Sequence, residues 1–333
     1  MRHCACAIDE CILTIRVNTF SSCTLHLQDI NNFRGHTMSA LAHAINAFAP
    51  ADGDHVTPIP SLTFHRRQSP TDPLHCIYGF GLGVVAQGAK QVTLVDRVVE
   101  YGPSQCLLTT IDLPVFSRVT QASMREPYLG LMLALDTHSI VQIAAEMQLL
   151  RPAKDTACQP VTVQKLDNAL ADALIRMVNL LNEPALAPRL APLIQQEITI
   201  RLLTGPHGPQ LLHLVAAGSP SQKIAKAVAW LKQNYTQPMH ADELAARAGM
   251  SSSTFRHHFR AITGMSPLQF QKQLRLQQAR QLMLNQNLDA GHVGGLVGYE
   301  SASQFNREYS RLFGAPPQRD VRRMRVSTSQ SSQ

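Results

Sequence analysis

The first half of the chain carries short apolar runs separated by turn residues. Seven such runs fall between residues 58 and 135, with Pro, Gly and Asp between them. The runs are SLTFHRR, CIYGFGLGVVAQ, KQVTLV, RVVEYG, QCLLTTI, FSRVT and YLGLMLAL. Runs of β-branched and apolar residues at this spacing are typical of strands in a small sandwich or barrel. We therefore predict a β domain over residues 46–136, with a hairpin turn at Asp96.

From Thr137 the apolar positions follow a helical period instead. Three segments show it: THSIVQIAAEMQLL, with Thr137 as N-cap, TVQKLDNALADALIRMVNLLNE and LAPLIQQEITIRLLTG. The second segment has an apolar stripe along its whole length. Such a stripe either covers a β core or pairs with a second copy of the chain. We predict a helical segment and linker over residues 137–218, in which AAGSPSQ (216–222) is rich in helix breakers.

The C-terminal third contains an internal repeat. Phe255 and Phe305 lie fifty residues apart, and so do Phe259 and Tyr309. Each copy has the pattern of a short helix, a tight turn with Gly and a second helix. We predict one helix–turn–helix unit used twice, within a domain that spans residues 219–326.

The second helix of each unit separates apolar from polar side chains. The predicted inward residues are Phe255, Phe259 and Ile262 in the first unit and Phe305, Tyr309 and Leu312 in the second. The predicted outward residues are Ser252, Ser253, Arg256, His257, Arg260, Ser303, Gln304, Asn306, Arg307 and Arg311. Arg can donate two hydrogen bonds to guanine, Gln and Asn can pair with adenine, and Ser suits phosphates. A solvated helical hairpin is the alternative, but two units in register favour DNA reading.

One continuous helix is predicted between the two units. The segment SPLQFQKQLRLQQARQLML covers residues 266–284, and Pro267 stands at its first turn. A helix of about 18 residues spans roughly 27 Å. Successive major-groove turns lie roughly 34 Å apart, so this helix could place both reading helices on one face of a duplex.

Gly294 and Gly295 lie in the first helix of the second unit. Together they should cost about 2 kcal/mol relative to Ala if that helix is regular. Either Gly294 permits close approach by the second helix of the unit, or the first helix is short and frayed. We favour the second interpretation.

Charge is distributed unevenly along the 333 residues, whose formal net charge is +7. From Ser219 to the end, fifteen Lys and Arg face six Asp and Glu, which gives +9. The preceding 218 residues carry fifteen against seventeen, or −2. A basic C-terminal third is typical of a nucleic-acid binder.

The repeat resembles the DNA-binding region of the AraC/XylS family of bacterial transcription regulators. The resemblance rests on LAARAGMSSSTFRHHFRAITGMSPLQFQKQLRLQQARQLM and VGYESASQFNREYSRLFGAPP, which are similar to the family's two helix–turn–helix units. It covers about 100 residues. It implies base-reading positions at Ser253, Arg256, His257, Gln304 and Arg307.

The earlier domain is similar to the cupin-like N-terminal domain of one AraC-type subgroup, over the segment that begins IPSLTFHRR. The resemblance implies an α+β fold: a cupin-like β-barrel with a helical dimerisation segment, then an all-α double helix–turn–helix domain. The barrel would sense a small-molecule effector or set dimerisation. Arg66, Arg67, His75 and Glu126 are candidate effector contacts, although each could instead be a surface or rim residue.

Enzymatic readings find less support in the sequence. Metal-binding cupins place two His and a carboxylate on neighbouring strands, whereas the corresponding hairpin KQVTLVDRVVEYG has no His. No nucleophile elbow, phosphate loop or dinucleotide fingerprint occurs in the sequence. We expect a non-enzyme without cofactor or metal. The alternatives are a metal-dependent cupin enzyme fused to a DNA-binding module, and a DNA-binding protein that senses no effector.

No stretch of the sequence approaches the roughly 20 apolar residues of a membrane helix. We expect a cytoplasmic protein whose partner is double-stranded promoter DNA. An effector, RNA polymerase and a second copy of the chain are further candidate partners.

Both ends of the chain are predicted to lie outside the folded domains. Residues 1–45 are predicted to be a disordered extension or an upstream mis-start, because Met38 begins a more typical N-terminus. Four of the seven cysteines lie there: Cys4, Cys6, Cys11 and Cys23. Their spacing only partly matches a zinc site, so we expect free thiols. Residues 327–333 are predicted to be a disordered polar tail.

Overall fold

A computed structural model describes residues 37–95, 97–149 and 159–330, with side chains as far as Arg325. Within those residues, ten strands form two antiparallel sheets. The strands are β1 (Gly53–Val56), β2 (Leu62–Arg67), β3 (Leu74–Tyr78), β4 (Gly81–Gln87), β5 (Ala89–Leu94), β6 (Arg97–Tyr101), β7 (Gln105–Thr109), β8 (Leu113–Gln121), β9 (Tyr128–Ala134) and β10 (Val161–Lys165). The six-stranded sheet has the order β1-β2-β9-β4-β7-β10, and the four-stranded sheet has the order β3-β8-β5-β6. This is the predicted cupin-like β architecture.

Because side chains alternate along each strand, one face of the six-stranded sheet packs against helices and the other packs against the four-stranded sheet. In β2, Leu62 and Phe64 are fully buried in the core on the helical side. In β4, Val85 points the other way and packs between the sheets. The seven predicted runs correspond to the eight strands β2–β9, because the run CIYGFGLGVVAQ contributes to both β3 and β4. The predicted hairpin is confirmed, since Val92 of β5 lies opposite Val99 of β6.

Two boundaries near the predicted helical segment differ from the sequence prediction. The residues Val161–Lys165 form strand β10 beside β7, although they were predicted to begin a helix. Asp167 caps the helix that follows, so the β-branched residues before it are free to pair. The first helix of the segment is capped by Asp136 instead of Thr137, since the Asp136 carboxylate accepts two backbone N–H groups.

Five helices accompany the six-stranded sheet: α1 (37–48), α2 (Thr137–Glu146), α3 (Asn168–Asn179), α4 (Ala187–Thr204) and α5 (Gly208–Val215). In α1, Leu41 and Ile45 are fully buried in the same core as Phe64. The prediction of a disordered extension is therefore wrong for residues 37–45, whose apolar face packs on the core. Residues 1–36, including the four cysteines, lie outside the described residues.

The apolar stripe of α3 belongs to this core. Leu166, Leu170, Leu174 and Met177 are all buried against the sheet and its neighbouring helices. Of the two readings open from the sequence, covering a β core is the one that the structure supports for this stripe.

Seven helices form the C-terminal part: α6 (Pro220–Gln233), α7 (Ala241–Arg247), α8 (Ser252–Thr263), α9 (Pro267–Gln286), α10 (Ala290–Leu296), α11 (Ala302–Phe313) and α12 (Pro317–Gln330). The predicted inward aromatics of both units are fully buried. Leu312 is only half-buried, and the buried residue is Phe313, whose ring centre lies 4.4 Å from that of Tyr309. Helix α12 also continues through residues 327–330, which were predicted to be a disordered tail; residues 331–333 lie outside the described part.

The predicted linker is shorter than its composition indicated. Ser219 caps α6, which begins at Pro220, and the Ser219 hydroxyl donates to the carbonyl of His213 at 2.7 Å. One hydrophobic cluster joins the sheets to the C-terminal helices and includes Leu107 and Ile224. Residues from Thr37 onward form one compact unit, in which the two predicted domains pack directly on each other.

His207 provides a test of how the start of α5 packs on the six-stranded sheet. It is 2% exposed, and its ring nitrogens lie 3.1 Å from the Thr162 hydroxyl and 3.4 Å from the Cys106 sulfur. Burial lowers the pKa of His207 to about 4, against about 6.5 in an unfolded chain. The unfolded chain therefore takes up a proton that the folded chain excludes, so the free energy of unfolding should fall as the pH drops from about 6.5 towards 4.

We expect the His207 contribution to reduce the free energy of unfolding by about 2 kcal/mol between pH 7 and pH 5. Urea unfolding at both pH values measures it. His207→Gln should weaken the pH dependence, whereas the exposed control His43→Gln should leave it in place. An unchanged pH dependence in His207→Gln would contradict the assignment.

The paired glycines of α10 provide a second test. The helix has seven residues, as the interpretation of a short helix requires. Gly294, however, is also a close-approach position, because an added Cβ would lie 3.2 Å from the Phe305 ring. Gly295 has nothing within 4 Å of that position. The two glycines therefore differ, although they are adjacent in sequence.

Gly295→Ala is expected to stabilise the protein by about 0.5–1 kcal/mol, since Ala is the better helix former. Gly294→Ala should gain less or destabilise, because the added methyl group presses on Phe305 of α11. Thermal unfolding of the two single variants compares them directly. Equal stabilisation by both substitutions would show that the Gly294–Phe305 contact imposes no constraint.

Candidate nucleic-acid interface

The first reading helix, α8, is fixed at both ends by local chemistry. The Ser251 hydroxyl accepts the N–H of Thr254, and Gly264 ends the helix with φ of 78°. Phe255 and Phe259 attach one face to the core. The opposite face exposes Ser253, Arg256, His257 and Arg260, and Ser252 is half-buried.

Helix α11 has the same design in the second unit. Ser301 caps it, and Gly314 ends it with φ of 74°. Its exposed side chains are Ser303, Asn306, Arg307 and Arg311. Within the described chain, Asn306 and Arg307 make no hydrogen bond or ion pair, so their polar groups are available to a partner. Gln304 is half-buried, and its amide donates to Glu308 at 3.2 Å, so it is held in place before any ligand binds.

The cationic side chains of these helices are weakly restrained. Arg256 pairs with Asp242 at 3.1 Å, but more than half of each side chain is exposed. Exposed pairs of this kind contribute about 0–1 kcal/mol, so Arg256 can exchange its partner for a nucleic-acid group at little cost.

Arg260 and Arg311 lie in a different setting from Arg307. Both line a cleft of about 610 Å³ between the C-terminal ends of the reading helices, α9 and the four-stranded sheet. Lys272 and Glu308 also line it and form an ion pair at 2.7 Å. The structure thus brings together two predicted DNA contacts from separate units, at the boundary with the β domain.

The sheets contact the C-terminal end of each reading helix. The imidazole of His75 donates to the carbonyl of Leu312 at 3.1 Å, and burial lowers the pKa of His75 to about 4. Val95, at the tip of the β5–β6 hairpin, lies against Gly264, where an added Cβ would be 2.7 Å from its methyl group. No pattern in the sequence predicts these contacts, because they join residues that are far apart along the chain.

Arg275 of α9 joins the loop before the first helix–turn–helix unit to the turn of the second. Its guanidinium donates to the carbonyls of Tyr235 at 2.6 Å, Thr236 at 3.2 Å and Gln237 at 3.0 Å, all in the loop after α6. It also donates to the carbonyl of Gly298 at 2.7 Å, in the turn of the second unit. One side chain therefore ties the loop that leads into the first unit to the turn of the second.

Gly298 is required at this junction for two reasons. Its φ is 89°, a conformation that favours glycine, and an added Cβ would lie 2.3 Å from the Thr236 carbonyl oxygen. The two backbone segments that Arg275 bridges are thus in direct contact.

A buried ion pair fixes the far end of α9. Arg280 and Asp320 are 7% and 0% exposed, and two hydrogen bonds of 2.8 and 2.9 Å join them. The Tyr309 hydroxyl donates to the same carboxylate at 2.9 Å, and the Arg280 guanidinium lies 4.4 Å from the Phe313 ring centre. Removing one partner of such a pair leaves a buried charge, so helices α9, α11 and α12 are strongly linked.

A second cavity, of about 430 Å³, lies between the two sheets. Tyr78, Tyr101, Tyr128, Lys90 and Met132 contribute to its walls, and α9 and α12 contribute Arg280 and Met324. Gly130 makes room for one of the rings, since an added Cβ would lie 2.4 Å from the Tyr128 hydroxyl. Lys90 was missed from the sequence, although it shares a strand face with buried Val92.

The predicted effector contacts are distributed unequally around this cavity. His75 and Arg67 line it. Arg66 instead bonds to the side chain of Asn46 and the carbonyl of Ala49, which anchors α1. Glu126 is exposed in the loop between β8 and β9. Neither Arg66 nor Glu126 contributes to the cavity walls.

Among the residues that the structure describes, no group of three or more His, Cys, Asp or Glu side chains is arranged to hold a metal ion. None of the helices in the described ranges is long and apolar enough to cross a membrane.

Comparison with known families identifies both parts of the chain. Residues 58–210 match the model of the AraC-type transcriptional regulator N-terminus. Residues 244–323 match a helix-turn-helix domain model, which contains both reading helices. The first match includes strands β2–β10 and helices α2–α4.

Individual regulators are similar over shorter regions. The HTH-type transcriptional regulator ExsA of Pseudomonas aeruginosa is 26% identical over 132 residues, which cover 40% of this chain and 47% of ExsA. The transcriptional activator VirF of Yersinia enterocolitica is 23% identical over 194 residues, which cover 57% of this chain and 69% of VirF. The chain thus spans less than half the length of ExsA.

A solved structure shares the fold. ToxT of Vibrio cholerae superposes with a TM-score of 0.54 at 10% identity, and the match covers 78% of this chain and 98% of ToxT. At this identity the likeness concerns the fold alone. Together, the two domain matches, the similar regulators and the double helix–turn–helix geometry show that the chain belongs to the AraC/XylS-type transcription regulators.

Proposed function

We propose that this regulator binds a bipartite promoter site as one rigid reader and that an effector in the β domain controls the binding. The observation that carries the proposal is the attachment of both units to one helix. Arg275 bridges the loop that leads into the first unit and the turn of the second. Helix α9, with twenty residues, spans about 30 Å. This length is close to the roughly 34 Å between successive major-groove turns.

Base reading falls to the exposed side chains of α8 and α11. Arg256 and His257 would read in the first unit, and Asn306 and Arg307 in the second, with Ser252, Ser253 and Ser303 as phosphate contacts. Gln304 would read a base once its side-chain amide gives up the hydrogen bond to Glu308. Arg260 and Arg311 would contact DNA only from the ends of their helices, next to the cleft.

Control by an effector would act through the contacts between sheets and helices. His75 and Val95 touch the ends of α11 and α8, so a change in sheet packing alters the support of both reading helices. ToxT has been crystallised with (E)-4-(8-methylnaphthalen-1-yl)but-3-enoic acid and with an unsaturated fatty acid. Those complexes support a small-molecule effector here.

The remaining partners follow from regulation at a promoter. We propose a protein without catalytic activity that acts in the cytoplasm, where it meets promoter DNA and RNA polymerase. A second copy is a further partner, and the exposed Leu186, just before α4, with Leu190 and Leu193 of α4 offers it an apolar surface. Stoichiometric metal in the purified protein would instead favour a metal-dependent cupin enzyme. Unchanged DNA binding with every effector would favour a regulator that senses none.

Arg307→Ala tests the reading face. We expect it to cost roughly 1–3 kcal/mol of binding free energy and to relax the preference at one base position. Selection from a randomised duplex library, followed by sequencing, measures both. Arg189→Ala, which removes an exposed arginine from α4, is the matched control and should change neither. A specificity profile that Arg307→Ala leaves unaltered would rule out base reading by this residue.

A further inference from the structure

Lys90 differs from the other charged groups around the cavity between the sheets. Asp54 is paired with Arg67 at 2.7 Å and with His65 at 2.8 Å. Burial opposes ionisation of Asp54, but His65 and Arg67 outweigh it and lower the pKa of that carboxyl. The carboxylate at this end of the cavity is therefore already neutralised by its neighbours.

Arg280, at the α9 side of the cavity, is likewise satisfied by its bidentate pair with Asp320. The ammonium of Lys90 has no such partner: among the described residues it makes no ion pair or hydrogen bond. The Lys90 nitrogen lies over two aromatic rings, 5.2 Å from the ring centre of Tyr78 and 5.8 Å from that of Tyr128.

Position along the strand explains why Lys90 faces this cavity. It lies on β5 opposite Tyr101 of β6, and Tyr101 is buried between the sheets. Because side chains alternate along a strand, Lys90 shares the inner face with buried Val92. A half-buried ammonium on that face costs desolvation free energy that the aromatic rings only partly offset.

The rest of the cavity suits the apolar part of a ligand. Tyr78, Tyr101, Leu131 and Met132 contribute apolar surface to its walls. Its volume of about 430 Å³ falls within the roughly 300–1,000 Å³ of small-molecule sites. Arg118 also lines the cavity, where its guanidinium donates to the Gln91 side chain at 2.8 Å. An ammonium without a hydrogen-bond partner among aromatic and aliphatic walls matches a molecule with a negative charge and an apolar body.

The cavity also reaches the helix that joins the two reading units. Arg280 and Gln281 of α9 line its wall, as does Met324 of α12. A molecule held at Lys90 would thus contact both sheets and the C-terminal helices. Its occupancy would bear directly on the packing between them.

We propose that this cavity is the effector site and that its ligand is an amphipathic organic carboxylate whose charged group pairs with Lys90. The inference rests on the proposed function, because it assigns the chemical class of the effector of that regulator. The Lys90 ammonium supplies the charge complement, and the tyrosines hold the apolar body.

Matched probes on the purified full chain test the proposal. Two acids, 4-phenylbutyrate and decanoate, are compared with the alcohols 4-phenyl-1-butanol and 1-decanol. Calorimetry gives each Kd, and thermal unfolding gives each shift in Tm. We expect at least one acid to bind about tenfold or more tightly than its alcohol and to raise Tm, since the ion pair is sheltered in the cavity.

Three variants locate the effect. Lys90→Met keeps the length of the side chain and removes its charge, so the preference for acid over alcohol should fall to about one. Lys90→Arg should retain the preference. Lys165→Met, which removes an exposed lysine from β10, should behave like the unmodified chain. The ratio of acid to alcohol affinity does not depend on a small loss of overall stability.

Two results would overturn the inference: no acid preference in the unmodified chain, or an acid preference that persists in Lys90→Met. Selection from the duplex library with the same preparations separates this failure from failure of the proposed function. Sequence-specific DNA binding without acid preference would support the proposed regulator and refute the carboxylate site. Acid preference without sequence-specific DNA binding would support the carboxylate site and refute the proposed regulator.

Discussion

The guanidinium of Arg275 ties the loop that leads into the first helix–turn–helix unit to the turn of the second. Its partners are backbone carbonyls of the loop after α6 and of the turn before α11, so it joins chain segments that no helix connects. Hydrogen bonds that involve a charged group are typically worth about 1.5–3 kcal/mol each, and the Arg275 bonds to Tyr235 and Gly298 are partly sheltered from water. Gly298 lets the two segments touch, and the Arg280–Asp320 pair repeats the linkage at the other end of α9. Recognition of two grooves at once depends on this rigidity, since loosely tethered helices would not hold a fixed spacing.

The β domain extends the same constraint. A continuous apolar cluster joins the inner faces of the sheets to α6 and α8, and His75 and Val95 touch the ends of the reading helices. The cavity that holds Lys90 opens between those same sheets and is closed in part by α9. The walls of the proposed effector cavity, the sheet packing and the helix support therefore share a small set of contacts. A coupling of 1–3 kcal/mol is typical of allosteric proteins, and a change in a few such contacts is sufficient to supply it.

Sequence periodicity predicted the elements whose signal is local. Strands β2–β9 follow from apolar runs between turn residues, and the reading helices follow from Phe255 and Phe305 in the repeat. The missed elements depend on distant partners. Helix α1 is stabilised by burial of Leu41 and Ile45 against strands far along the chain. Strand β10 is short and directly precedes a helix, so only its pairing with β7 identifies it as a strand. No sequence pattern distinguishes Arg275 or Lys90. Arg275 matters because carbonyls of two separate loops meet at its guanidinium, and Lys90 matters because two sheets enclose it.

The most direct test of the rigid double reader is the dependence of affinity on the spacing between its half-sites. A site selected from the duplex library would be lengthened at its centre by about 5 bp, half a helical turn, which moves one half-site to the opposite face of DNA. The unmodified chain should lose at least about tenfold in affinity, since only one unit can then reach its groove. Arg275→Met should bind the original site more weakly and lose less on lengthening. Equal affinity of the unmodified chain for both spacings would contradict the rigid coupling of the two units.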